Sequence, residues 1–129
     1  SLQEGIKSGV IDIITSDHNP IDIEHKKVEF SEAKDGVIGL ESLFASTNTV
    51  LDLETLIASI TYKPRAIFGL NSTHIKENSK ADLTLFNPDK EFIFSNEHIL
   101  STSKNSPFIN KECNGEVYGI YANQKLILK

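Results

Sequence analysis

The sequence predicts an α/β segment followed by an all-β module, and three observations lead to this fold class. A β-branched apolar run over 10–14 ends in a polar turn over 15–20. Apolar residues then recur at the three-four spacing of an amphipathic helix between positions 40 and 69. From position 71 onward the pattern changes to short or alternating apolar runs, which are typical of strands.

The first predicted element is a strand over 10–15, with Asp17 and His18 directly after it. In a parallel α/β barrel the strands are covered on both faces, so they read as continuous apolar runs, and catalytic groups lie at their C-terminal ends. Asp17 is therefore a candidate catalytic residue. The same residues also fit a simple turn, because Asp and Asn side chains bond to nearby backbone amides and proline fixes its own φ.

A polar loop over 19–29 and a segment over 30–39 lead into the helical region, and Gly36 and Gly39 give that segment permissive backbone positions. Asp52 is predicted to cap a helix whose apolar residues keep helical spacing. Pro64 is predicted to open a last short helix, and Gly69 to end it.

Four strands are predicted in the second half, over 81–86, 91–94, 116–121 and 125–128. The tripeptide Asn87-Pro88-Asp89 is predicted to separate the first two. The last two strands are close enough to form a hairpin around Ala122-Asn123-Gln124.

Composition excludes several classes of protein. With 39% hydrophobic and 24% charged residues and a net charge of -5, the chain lacks the basic excess of a nucleic-acid-binding protein. No apolar stretch reaches the roughly 18 residues of a membrane span, so no membrane partner is expected. Cys113 is the only cysteine, which rules out an intramolecular disulfide and favours a cytoplasmic protein.

Length limits the barrel interpretation. A complete parallel barrel needs roughly 250 residues, whereas this sequence has 129 residues and one convincing barrel strand. It contains no methionine, even at position 1. We therefore expect the 129 residues to be a piece of a longer protein.

Six motifs, in order and spacing, resemble the C-terminal third of a dihydroorotase of the amidohydrolase superfamily. They cover essentially the whole chain and lie at residues 11–20, 36–41, 64–70, 75–86, 106–108 and 115–117. The resemblance implies that residues 1–70 are the last strand and helices of a metal-dependent TIM-type (β/α)8 barrel. It also implies that residues 71–129 are the C-terminal part of a small β-sandwich built from both chain ends.

The resemblance further implies the reversible ring closure of N-carbamoyl-aspartate to dihydroorotate in pyrimidine biosynthesis. Asp17 matches the family's catalytic aspartate and would contribute to a zinc site whose other ligands lie outside this chain. His18, Asn19 and Gly39 are the residues that it implies for substrate binding. Because most metal ligands are missing, the 129-residue fragment itself is expected to be inactive and to bind zinc only weakly.

The expected partners follow from the same resemblance. They are the remainder of the chain's own barrel, the small-molecule substrate and further copies in a homo-oligomer, with aspartate carbamoyltransferase as an additional candidate. His25, His74 and His98 form no ligand pair with His18 at one-strand or one-turn spacing, so loop or surface roles are expected for them.

One departure from the family keeps two alternatives open. Dihydroorotases of this class commonly read Asp-His-Ala-Pro-His, whereas Asn19 replaces the alanine here and Ile21 stands at the position of the final histidine. An isoleucine cannot donate a hydrogen bond to a substrate carboxylate. The alternatives are a catalytically degenerate dihydroorotase-like subunit with a structural or assembly role, and a related cyclic amidohydrolase such as a hydantoinase or allantoinase.

Overall fold

The computed structural model describes residues 1–71 and 74–129. Four helices precede a three-stranded antiparallel sheet with strand order β1-β2-β3. The helices are α1 (Leu2–Lys7), α2 (Leu43–Asn48), α3 (Leu53–Ile60) and α4 (Tyr62–Ile67). The strands are β1 (Leu83–Ile93), β2 (Glu112–Ala122) and β3 (Lys125–Leu128), and two short 3-10 turns lie at Ile23–His25 and Asn96–His98.

The predicted strand over 10–15 is wrong for this chain, since the structure assigns no strand to these residues. A strand needs a neighbour to satisfy its backbone N–H and C=O groups, and within residues 1–71 and 74–129 no strand pairs with this segment. Instead, the Ile14 N–H donates to the Ser59 carbonyl at the end of α3 (3.2 Å). Among the described residues, the 10–15 segment therefore lacks the neighbouring strands that a barrel strand would pair with.

The helical region is confirmed, with small shifts at its boundaries. The Asp52 carboxylate caps α3 by accepting a hydrogen bond from the Thr55 N–H (2.9 Å), as predicted. Pro64 is the third residue of α4 rather than its first, and it is tolerated because the first-turn amides of a helix have no intrahelical acceptor. Gly69 follows α4 with φ +64°, the left-handed conformation that commonly ends a helix.

The prediction of two strands over 81–86 and 91–94 is wrong, because β1 runs without a break from Leu83 to Ile93. Its register against β2 shifts between Asn87 and Glu91, so the segment containing Pro88 bulges out of the ladder. The predicted last hairpin is confirmed: β2 pairs with β3 through a two-residue turn in which Asn123 and Gln124 both have positive φ.

The core lies between α2 and the inner face of the sheet. Five residues form its buried cluster, and they come from both sides of position 70: Ile38, Ala45, Phe94, Ile99 and Cys113. Phe44 on α2 also meets Phe86 on β1 edge to face, with ring centroids 4.9 Å apart. A Cβ built on Gly115 would lie 2.6 Å from the Phe44 ring, so a glycine is required at this point of β2. The segment leading into α2 is thus fixed against the β-rich half.

Candidate functional site

Asp17 lies on an exposed turn at the end of the 10–15 segment. Its φ is +42°, a left-handed conformation that Asp and Asn adopt more readily than other non-glycine residues. Such a conformation persists only where the surrounding structure holds it. The residues packed around Asp17 therefore determine whether it keeps this backbone conformation.

The segment over 36–39 packs directly against the turn that carries Asp17. His18 and Val37 form a parallel bridge, and the Asn19 N–H donates to the Val37 carbonyl (2.9 Å). A Cβ built on Gly39 would lie 2.4 Å from the Ser16 carbonyl oxygen, closer than side chains can approach a backbone. The two segments thus touch backbone to backbone, and only a glycine fits at position 39.

The His18 ring joins the two segments on their other side. Its Nδ1 accepts hydrogen bonds from the backbone N–H groups of Gly39 (3.1 Å) and Leu40 (3.2 Å). An imidazole nitrogen that accepts two N–H donors carries no proton of its own. The structure therefore brings together His18, Asn19 and Gly39, the three residues predicted to bind substrate, but Nδ1 of the histidine is already occupied by backbone amides.

Glu41 belongs to the motif over 36–41, in which the sequence predicted only Gly39 as a candidate site residue. Its Oε1 accepts hydrogen bonds from the backbone N–H of Ser101 (2.8 Å) and from the Ser101 hydroxyl. Its Oε2 is buried, has no hydrogen-bond partner among the described residues, and lies 3.9 Å from Nδ1 of His18. Burial raises the pKa of the Glu41 carboxyl, but the hydrogen bonds from Ser101 outweigh this effect and leave the pKa below its usual value.

Further hydrogen bonds join the same two segments to the β-rich half. The Ile38 N–H donates to the Asn105 carbonyl (2.9 Å), and the Asn105 side-chain amide donates to the Gly36 carbonyl (3.0 Å). The Ser103 hydroxyl donates to the carbonyl of Ile21 (2.8 Å). Sequence reasoning missed Ser101, Ser103 and Asn105, because a polar stretch 60 or more residues away carries no local signal for these contacts.

A cavity of about 570 Å³ lies where the loop after Asp17 meets the polar stretch. Its lining comes from two runs of sequence, residues 21–24 and 102–106. Ile21 is half-buried in it, and the charged residues of the lining are Asp22, Glu24 and Lys104. Among the described residues no imidazole lines this cavity, so the position at which the resemblance predicts a histidine contributes an apolar side chain to its wall.

The described residues do not form a zinc site by themselves. Within residues 1–71 and 74–129 no group of three His, Cys, Asp or Glu side chains is close enough to hold a metal ion. Asp17 brings one carboxylate, whereas zinc in proteins takes three or four protein ligands. His98 accepts hydrogen bonds from Ser95 through Nδ1 and packs on the rings of Phe92 and Phe94, so it belongs to the wall of the core.

Two other features are structural. Cys113 is buried in the core cluster, and burial raises the pKa of its thiol, which is the opposite of what a nucleophilic cysteine needs. Among the residues that the structure describes, no helix is long and apolar enough to cross a membrane.

Comparison with known proteins identifies the family. Residues 1–127 match the amidohydrolase family. The dihydroorotase of Geotalea daltonii is 34% identical over 134 residues, which cover 100% of this chain and 32% of that protein. The dihydroorotase of Chlorobaculum tepidum is 36% identical over 135 residues, covering 100% of this chain and 31% of that protein. The chain thus spans just under a third of the length of these relatives.

Solved structures share the fold at lower sequence identity. A D-hydantoinase (dihydropyrimidinase) from Thermus sp. superposes with a TM-score of 0.83 at 23% identity, over 99% of this chain and 30% of that one. An L-hydantoinase (dihydropyrimidinase) from Arthrobacter aurescens gives a TM-score of 0.81 at 24% identity, over 99% of this chain and 31% of that one. The family match over residues 1–127, and the dihydroorotases that align with the whole of this chain, establish that the chain belongs to the amidohydrolase family and has a dihydroorotase-like sequence.

Proposed function

We propose that the chain is the C-terminal part of a dihydroorotase-like cyclic amidohydrolase, which interconverts N-carbamoyl-aspartate and dihydroorotate in pyrimidine biosynthesis. The observation that carries the proposal is the exposed Asp17, whose left-handed backbone directly follows the Ser16 carbonyl that contacts Gly39. The dihydroorotases that align with the whole chain support the choice of substrate.

Asp17 acts as the proton-transferring group of this reaction. In the hydrolytic direction its carboxylate accepts a proton from the attacking water and then returns a proton to the departing amide nitrogen. Ring closure runs the same proton transfers in reverse. The substrate contacts that we propose are the backbone at Gly39, which lies against the Ser16 carbonyl one residue before Asp17, and the side chain of Asn19. His18 keeps the Gly39 and Leu40 peptides in place.

Zinc is the metal that we propose for the full-length protein. When bound, it would lower the pKa of the attacking water. Asp17 is the single ligand offered by these residues, and the remaining ligands belong to sequence outside the 129 residues. The isolated chain is therefore inactive on this proposal.

The surface of the chain supports a partner in the rest of the same polypeptide. Large apolar side chains are exposed, among them Phe30 (98%), Ile75 (92%) and Leu100 (86%). Leu100 also lines an open groove of about 410 Å³ on the sheet, together with Ile127 and Leu128. We propose that residues 1–70 complete a (β/α)8 barrel and that residues 71–129 complete a β-sandwich, because both would cover these surfaces.

The remaining partners and the compartment are proposed from the exposed apolar surface and from the chemistry of the substrate. Self-association of the full-length protein is one way to bury apolar surface that intramolecular packing leaves exposed. Aspartate carbamoyltransferase makes carbamoyl aspartate, so contact with it would pass the substrate directly to this protein. The cytoplasm is the compartment that fits such a pathway.

Ile21 favours a second candidate function. Its apolar side chain lines the cavity beside the Asp17 loop at the position where the resemblance predicts a histidine, so this position offers no hydrogen bond to a substrate carboxylate; Lys104 is the cationic residue in the same lining. A degenerate subunit that serves assembly, or an enzyme for cyclic amides without that carboxylate, agrees with an isoleucine at position 21. The hydantoinase structures that share the fold support the latter alternative.

Turnover measurements on the full-length protein separate these possibilities. Dihydroorotate, carbamoyl aspartate and hydantoin are supplied to the unmutated protein and to Asp17→Asn, with Asp12→Asn as the control because Asp12 is an exposed carboxylate on the same segment. Asp17→Asn keeps the shape but removes the proton acceptor, so turnover should fall by about 100-fold or more. Activity that survives Asp17→Asn refutes the role of Asp17.

The substrate that is turned over decides between the candidate functions. Turnover of dihydroorotate supports the first proposal, and turnover of hydantoin alone supports a related cyclic amidohydrolase. If no substrate is turned over and Ile21→His restores nothing, the degenerate subunit is the better description.

A further inference from the structure

The Glu41 side chain connects the two halves of the chain at the candidate site. It follows the glycine segment over 36–39, and its carboxylate receives two hydrogen bonds from Ser101, 60 residues later. Its side chain is only 13% exposed. Hydrogen bonds to an ionised carboxylate are about twice as strong as those between neutral groups, so Glu41 is a firm anchor for the backbone at positions 40 and 41.

That anchor lies next to the His18 ring. The peptide N–H of Leu40, one residue before Glu41, donates to Nδ1 of His18, as does the N–H of Gly39. The free carboxylate oxygen of Glu41 lies 3.9 Å from the same nitrogen, and the His18 side chain is only 19% exposed. Fixing Glu41 therefore fixes the two amide donors that orient the ring.

The ring in turn holds the residue beside it in sequence. Asp17 has a left-handed backbone between Ser16 and His18, and both of its neighbours are held by the glycine segment. The Ser16 carbonyl contacts Gly39 with no room for a Cβ, and His18 pairs with Val37. A movement at either neighbour would redirect the Asp17 carboxylate.

We propose that Glu41 and Ser101 are positioning residues that act through His18 and the Gly39–Leu40 backbone to hold the Asp17 carboxylate in its working orientation. This inference rests on the proposed function for its effect on turnover. Its structural part is that Ser101 controls the position of the Gly39 and Leu40 amides. This part does not depend on which cyclic amide is cleaved.

The test uses the full-length protein and three serine variants. Ser101→Ala removes the hydroxyl that donates to Glu41, Ser101→Thr keeps a hydroxyl, and Ser46→Ala is the matched control. Ser46 is half-buried like Ser101, and its hydroxyl donates to the Leu43 carbonyl within helix α2 (3.4 Å). Two readouts are measured, namely kcat and KM for ring opening, and hydrogen exchange at the amides of Gly39 and Leu40.

Ser101→Ala should lower kcat by about 10-fold with a much smaller change in KM, because loss of orientation affects the reacting group more than substrate binding. Exchange at the Gly39 and Leu40 amides should become about 10-fold faster, since the backbone that carries these donors is less firmly held against His18. Ser101→Thr should keep most of the unmutated kcat and exchange rates, and Ser46→Ala should match the unmutated protein.

Unchanged exchange at Gly39 and Leu40 in Ser101→Ala overturns the proposal, as does a loss in Ser101→Thr equal to that in Ser101→Ala. If the unmutated protein opens no ring at all, the proposed function fails, but the exchange rates still decide whether Ser101 controls these amides. Faster exchange with unchanged kcat overturns the link to Asp17.

Discussion

Replacement of Gly39 by alanine tests whether backbone contact at the site is necessary. A Cβ built there lies 2.4 Å from the Ser16 carbonyl oxygen, whereas real Cβ contacts are not shorter than 3.0 Å. The two segments must therefore move apart by about 0.6 Å, taken as the difference between these distances. Such a movement takes the hydrogen bonds from Gly39 (3.1 Å) and Leu40 (3.2 Å) to His18 beyond the usual limit of about 3.5 Å.

The cost of Gly39→Ala follows from these two effects. Overpacking against backbone costs about 1–3 kcal/mol, and each weakened hydrogen bond costs about 1 kcal/mol. Misplacement of a catalytic group by about 1 Å lowers turnover by about 100-fold, so a loss of about 10-fold to 100-fold is expected here.

The assay compares thermal unfolding and ring-opening turnover of the full-length protein with those of Gly39→Ala and Gly5→Ala. Gly5 lies inside helix α1 and is the matched control, because the atom nearest to a Cβ there is the flexible end of the Ile11 side chain (2.9 Å) rather than backbone. Gly5→Ala should leave both measurements nearly unchanged. If Gly39→Ala also keeps its melting temperature and turnover, the backbone contact between Ser16 and Gly39 does not exist as described.

Two further predictions concern Glu41 and the metal. The pKa of Glu41 is lower in the folded state than its ordinary value of 4.5, so its ionised form stabilises the fold above about pH 4.5 and this contribution is lost as the pH falls through the lowered pKa. Denaturant unfolding of the full-length protein should therefore show a larger difference between the unmutated form and Glu41→Gln at pH 6 than at pH 3, and a difference independent of pH contradicts this. Calorimetric titration of the 129-residue chain with zinc should give only weak binding, at about millimolar concentrations, because Asp17 alone is a poor site. Stoichiometric binding at micromolar zinc would contradict this prediction.

Local sequence determined the helix caps, helix ends and turns that depend on residues only a few positions apart. Asp52 caps α3 because its carboxylate reaches the amide of Thr55 three positions on. Gly69 ends the helical region because glycine adopts positive φ without strain. Asn123 and Gln124 form the last hairpin turn for a similar local reason, since a two-residue turn of this hand needs positive φ at both positions.

The sequence also indicated where the candidate site lies. Asp17 follows an apolar run and precedes a proline, and the glycine-containing motif over 36–41 was recognisable by its resemblance to a family. The structure brings these two segments into contact through the bridge between His18 and Val37. Their pairing could be expected from the family likeness but not from the apolar pattern of either segment.

Only the tertiary structure decided what each residue of the site does. His18 uses Nδ1 to hold amides 21 and 22 residues away, and Glu41 is anchored by Ser101 at a separation of 60 residues. The same holds for β1, which continues past Pro88 because β2 offers a shifted register on the far side of the bulge. Contacts over such separations depend on how the helical and β-rich halves pack together, and neither turn chemistry nor hydrophobic period encodes that packing.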